Sequence, residues 1–168
     1  MKDISVYDNL VTKEDTETYR KLMLYDSPFF YGETDYEGLQ PVGMVCDYSE
    51  TKVRPIITKV IQTLIDKIYQ KNENIKGKKI QRIYMNYFAA GENPRFHVDG
   101  NNIITCLYYL NPEVDCNEGG ETQFLINDEI RGVRSKPGRL VIFDGSLKHR
   151  ATSFRSHPRL TLAIKFYK

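Results

Sequence analysis

Histidine is scarce in this 168-residue chain, with copies only at positions 97, 149 and 157. Any metal or acid–base centre built on imidazole must draw on those three, so the search is short. Cysteine is as scarce, and Cys46, Cys106 and Cys116 are odd in number and unclustered. That pattern speaks against a disulfide framework and against a zinc knuckle. No apolar run approaches the ~20 residues needed to span a bilayer. The opening Met1-Lys2-Asp3-Ile4-Ser5 lacks the apolar segment of a secretory signal. A reducing cytoplasm, with no membrane partner, is the expectation. No internal repeat or low-complexity segment is visible.

Forty per cent hydrophobic and 27% charged residues describe an ordinary globular protein. Its length suits one domain with a real core. The net charge of +2 hides an uneven distribution. Residues 1–50 carry 4 Lys/Arg against 11 Asp/Glu, whereas residues 131–168 carry 10 against 1. Packing of the two ends against each other accounts for this more simply than a nucleic-acid surface does.

Periodicity divides the chain near residue 78. Thr12 is a good N-cap for a helix over 13–25, with acidic residues in its first turn. Residues 26–50 are aromatic, acidic and punctuated by Gly and Pro, which reads as short strands around a loop. Over 52–71, Ile57, Val60, Ile61, Leu64, Ile65 and Ile68 recur at helical spacing and form a wide apolar stripe suited to backing a sheet. From Ile80 the period falls to two, and Ile83, Met85 and Tyr87 share one face of a strand. Further strands are expected over 103–110, 121–126, 139–143 and 159–167. The expected architecture is mainly β: a jelly roll, or double-stranded β-helix, with N-terminal helices on its outer sheet. Residues 1–168 form one domain in this reading, 1–78 as support and 79–168 as the core.

The chemistry concentrates at Arg95-Phe96-His97-Val98-Asp99-Gly100. On an extended chain, residues two apart point to the same side, so His97 and Asp99 converge. An imidazole and a carboxylate, joined by a second imidazole, make the facial set that suits Fe(II) and leaves open positions. His149 or His157 must supply that third ligand. In the last strand Arg159, Thr161, Ala163 and Lys165 share a face opposite Leu160, Leu162, Ile164 and Phe166. If the apolar set packs on the helices, Arg159 points into the barrel and needs an anion. A bound carboxylate would meet that need bidentately. The plainer alternative is a strand-end arginine that reaches solvent.

His97-x-Asp99, the run through Ile103 to Asn111, Gly119-Gly120-Glu121-Thr122-Gln123-Phe124, His149 and Arg159 stand in this order. Together they resemble the Fe(II)- and 2-oxoglutarate-dependent oxygenases. Within these the pattern is most similar to the prolyl 4-hydroxylases, including the oxygen-sensing prolyl hydroxylases and compact microbial and viral members. The resemblance runs from about Ile80 to Lys168. It implies Fe(II) held by His97, Asp99 and His149, leaving His157 as a solvated histidine. It implies 2-oxoglutarate gripped by Arg159, with Tyr109 on the same carboxylate, Tyr87 on the pocket wall, and Leu107 and Thr161 lining the pocket. The implied reaction hydroxylates a C–H bond while 2-oxoglutarate and O2 become succinate and CO2, with ascorbate as a candidate reductant. The implied target is a proline in a peptide or protein, bound near 31–48 and 111–118.

Two departures bear on the substrate. Collagen-type members use Lys where this chain has Arg159, as the oxygen-sensing type does. Lys165 follows Arg159 at about the spacing at which nucleic-acid dealkylases of the superfamily carry a second arginine. A nucleic-acid partner is not expected, but oxidative dealkylation stands as the alternative activity, and a catalytically silent jelly roll that binds a ligand as the third.

Overall fold

The computed structural model describes residues 4–32 and 40–168. In chain order the elements are β1 (Ser5–Tyr7), α1 (Lys13–Asp26), β2 (Phe30–Tyr31), β3 (Met44–Asp47), α2 (Pro55–Lys71), β4 (Ile80–Phe88) and β5 (Ile103–Tyr109). They continue with β6 (Thr122–Ile126), β7 (Glu129–Val133), β8 (Leu140–Asp144), β9 (His149–Ala151) and β10 (Arg159–Tyr167). Among the described residues, one antiparallel sheet has the order β1-β8-β5-β10-β4-β3-β2, and a smaller one has the order β7-β6-β9. This is the expected jelly roll, with both helices against the outside of the larger sheet.

The helices begin where local chemistry dictates. Thr12 accepts a hydrogen bond from the Asp15 amide at 3.0 Å, and Glu14 and Asp15 occupy the first turn of α1. Pro55 opens α2, where a missing N–H costs nothing. The α2 stripe of Ile57, Val60, Ile61, Leu64, Ile65 and Ile68 is buried against Met85, Cys106, Tyr108 and Ile142 of the sheet. At roughly 1.5–3 kcal/mol for each such side chain, this contact is the main clamp between the N-terminal region and the β core.

β10 lies at the centre of the larger sheet, between β5 and β4. Its Leu160, Leu162, Ile164 and Phe166 enter the helix-side core, so the alternate residues must face the smaller sheet. Between the two sheets a second cluster forms from Tyr84, Leu107, Tyr109, Phe124, Val141, Phe143 and Ala163. β1 and β9 escaped the sequence reading because each has only three residues, and β7 because it is exposed over most of its length and carries no clear alternation. The expected strands of 26–50 are β2 and β3; residues 33–39, with Tyr36, lie outside the described residues.

Candidate active site

The His97 segment and β9 are joined by an antiparallel bridge. Each histidine amide donates to the other's carbonyl at 2.9 Å, so the backbone itself sets the two imidazoles side by side. Their ring centroids are 4.5 Å apart. Asp99 is anchored through its amide, which donates to the Gly145 carbonyl at 2.7 Å. That approach requires glycine at 145: a Cβ there would sit 2.9 Å from the Ile103 Cβ and 3.0 Å from its carbonyl oxygen.

His97, Asp99 and His149 each offer one ligand atom, all within 4.8 Å of one another. The Nδ1 of His97 lies 3.1 Å from the Arg95 carbonyl, and that of His149 lies 2.8 Å from the Leu147 carbonyl. A carbonyl only accepts, so each Nδ1 carries the hydrogen and each Nε2 presents a lone pair. Burial pushes the His149 imidazole down to about 4, the nearby Asp99 carboxylate only partly opposing it, so it is neutral at neutral pH. Burial alone would raise the Asp99 carboxyl, but the charge and hydrogen bond of Lys165, joined by the Thr105 hydroxyl, outweigh it, and the group is held below its ordinary value. Thr105 donates to Asp99 Oδ2 at 2.5 Å. Two imidazoles and an ionised carboxylate are a donor set that fits a divalent ion of intermediate hardness.

Phe143 meets the His149 ring edge-on at 4.6 Å, and Phe124 packs behind it. The cluster opens into a cavity bordered by Asn86, Phe88, Leu107, Thr122, Arg159 and Thr161. Arg159 is 1% exposed, so it does not reach solvent from the strand end. Its Nε donates to the Gly120 carbonyl at 3.0 Å and its Nη2 to Thr122 Oγ1 at 2.8 Å. Its guanidinium carbon lies 5.4 Å from the Tyr109 ring centroid, and the Tyr109 hydroxyl is 2.6 Å from Thr122 Oγ1. Among the described residues no carboxylate pairs with Arg159. A buried guanidinium with neutral partners, facing a cavity, has the charge and free donors to receive an anion.

A family profile described as the 2OG-Fe(II) oxygenase superfamily matches residues 83–167. The chain belongs to that superfamily. This oxygenase is also similar in fold to solved structures. A Pseudomonas putida prolyl-4-hydroxylase superposes with a TM-score of 0.73 at 15% identity, over 100% of this chain and 94% of that one. A Trichoplax adhaerens prolyl hydroxylase, in complex with a hypoxia inducible factor oxygen degradation domain peptide fragment, gives 0.70 at 14%, over 98% and 83%. HygX of Streptomyces hygroscopicus, with nickel and 2-oxoglutarate bound, gives 0.75 at 10%, over 99% and 83%. No curated protein matches the chain.

Within the oxygenase, the sequence-derived residues fall mostly where the cavity is. His97, Asp99, His149, Leu107, Arg159 and Thr161 border it, and Tyr109 lies directly behind Arg159. Tyr87 does not. It sits on the β4 face with Met85, packs into the helix-side core and meets Phe29 edge-on at 6.0 Å. The reason is strand parity: Tyr84, Asn86 and Phe88 take the inward positions, so the position ten residues before His97 points outward. His157 is exposed beside Ser156 and Glu118, away from the cluster. Asn86 and Phe143 were missed as site residues. Asn86 Oδ1 is buried without a hydrogen-bond partner, which no one-dimensional pattern reveals.

Proposed function

We propose that this oxygenase is an Fe(II)- and 2-oxoglutarate-dependent dioxygenase that hydroxylates a prolyl residue in a peptide or protein. The observation that carries the cosubstrate assignment is Arg159: a fully buried cation whose hydrogen-bond partners among the described residues are neutral, on the wall of the cavity that the His97–Asp99–His149 cluster enters. His97, Asp99 and His149 would hold the ion through two Nε2 atoms and one carboxylate oxygen. Arg159 would bind the far carboxylate of 2-oxoglutarate, with Thr161 beside it and Tyr109 and Thr122 fixing the guanidinium plane. Leu107 and Phe88 would exclude water along the aliphatic chain. The bound ion and cosubstrate supply the oxidising chemistry, in which 2-oxoglutarate and O2 become succinate and CO2 as a C–H bond is hydroxylated.

The prolyl assignment rests on the ordered motif run from His97 to Arg159, and two of the structurally similar proteins are prolyl hydroxylases. The test is a peptide-library screen with Fe(II) and 2-oxoglutarate, read by succinate release and mass spectrometry. Gain of one oxygen on proline-containing peptides is expected. Loss of methyl groups from alkylated DNA in the same assay would shift the reading to a dealkylase. Absence of succinate under every condition would leave a binding protein.

A further inference from the structure

Lys165 is the charged inward-facing residue of β10 that the proposed reaction leaves without a task. Lysines ordinarily carry their ammonium out to water. Here the side chain is 12% exposed, and Nζ lies 2.7 Å from Oδ1 of Asp99, itself 3% exposed. The sheet register explains the reach. Lys165 pairs directly with Thr105 of β5, so neighbours on adjacent strands take one Asp99 oxygen each: Lys165 on Oδ1, Thr105 on Oδ2.

Lys165 is in turn held from behind. Its ammonium lies 5.0 Å from the Tyr84 ring centroid, and the Arg82 guanidinium lies 4.1 Å from the same ring. Arg82 closes the series on the buried Asp47 at 2.6 Å. Acid, base, ring, base and acid thus run from β3 across β4 and β10 to Asp99. Arg159 cannot serve Asp99 in place of Lys165, being six positions away along β10 and committed to Gly120 and Thr122.

A carboxylate this deep is costly when nothing balances its charge. A divalent ion would balance it, and so does the ammonium, which means the two cations share one anion. We propose that Lys165 is the internal counter-cation of the site, a positioning residue that neutralises and immobilises Asp99 when no ion is bound, so that the site stays built at the expense of metal affinity. This rests on the reading that His97, Asp99 and His149 hold a divalent ion.

The experiment compares wild type, Lys165→Met and Lys165→Arg by thermal unfolding, chelator-stripped and with saturating Mn(II), alongside Mn(II) titration. Lys165→Met should lose about 10 °C of metal-free Tm. Mn(II) should raise its Tm by more than it raises that of wild type, and bind it on the order of tenfold tighter or more. Lys165→Arg, which keeps the charge, should behave as wild type. A Lys165→Met protein that folds only with Mn(II) supports the proposal; one that does not fold even then overturns it. It is also overturned by an unchanged metal-free Tm, by a Mn(II) shift no larger than that of wild type, or by an arginine variant as altered as the methionine one. If Mn(II) does not stabilise wild type, the metal-site reading itself fails. A normal wild-type response with an unaltered Lys165→Met response removes only the counter-cation.

Discussion

At the scale of single residues, the site is defined by what each side chain has left to offer after its local bonds are made. His149 spends Nδ1 on the Leu147 carbonyl and keeps Nε2. Its replacement in His149→Ala should abolish Mn(II) binding measured by titration, along with turnover; binding within a few-fold of wild type would move the ligand elsewhere. Arg159→Leu should raise the 2-oxoglutarate KM by about 10–100-fold, the loss expected of a charge-assisted pair. An unchanged KM in a steady-state assay would mean that Arg159 does not touch the cosubstrate. Three histidines made the ligand search short; alternation along β10 left Arg159 open between the barrel and solvent, and the ordered motif run selected it. Asn86 was invisible because its one distinguishing property, an acceptor buried without a donor, exists only in three dimensions.

Among elements, strand parity decided what residue-by-residue resemblance did not. Counting ten residues back from His97 selects Tyr87, whereas alternation along β4 groups Tyr87 with Ile83 and Met85, and it is alternation that the fold obeys. Tyr87→Phe should therefore leave the 2-oxoglutarate KM within about twofold of wild type, since the altered atom lies across the sheet from the cavity; a large rise would put the hydroxyl back in the pocket. The start of β10 is held by another side chain. Asn111, 3% exposed, accepts from the Leu160 amide at 2.7 Å and donates to the Pro158 carbonyl at 2.8 Å. Asn111→Ala leaves both main-chain groups unsatisfied beside Arg159. It should cost roughly 1–3 kcal/mol in denaturant unfolding and raise the cosubstrate KM as well. Loss of stability with no change in KM would show that Arg159 is fixed from elsewhere. The glycine pair before β6 matters in the same way, because a Cβ on Gly120 would meet the Phe154 ring at 2.1 Å.

Across the whole molecule, the two cores have different duties. The helix-side core is large and apolar, and the sheet-to-sheet core gives up part of its volume to the cavity. The first was readable in advance because α2 carries an unbroken stripe and the long strands alternate cleanly. The second was less so, because the smaller sheet is built from short strands whose partners are far away in sequence. Leu64→Ala, at a fully buried α2 position, should destabilise by about 2–5 kcal/mol, lowering Tm without altering the pattern of metal binding. A Tm within 2 °C of wild type would mean that α2 is not the clamp inferred from its packing.

The division of labour also leaves the molecule with a back and a front. Both helices shield the larger sheet, while the reacting groups open between the sheets, toward the side that carries no helix. The outward face of α2, with Lys59, Gln62, Asp66 and Lys71 exposed, is therefore a natural handle. A dye, a purification tag or an immobilising surface attached there would stand a full sheet's thickness from the cavity.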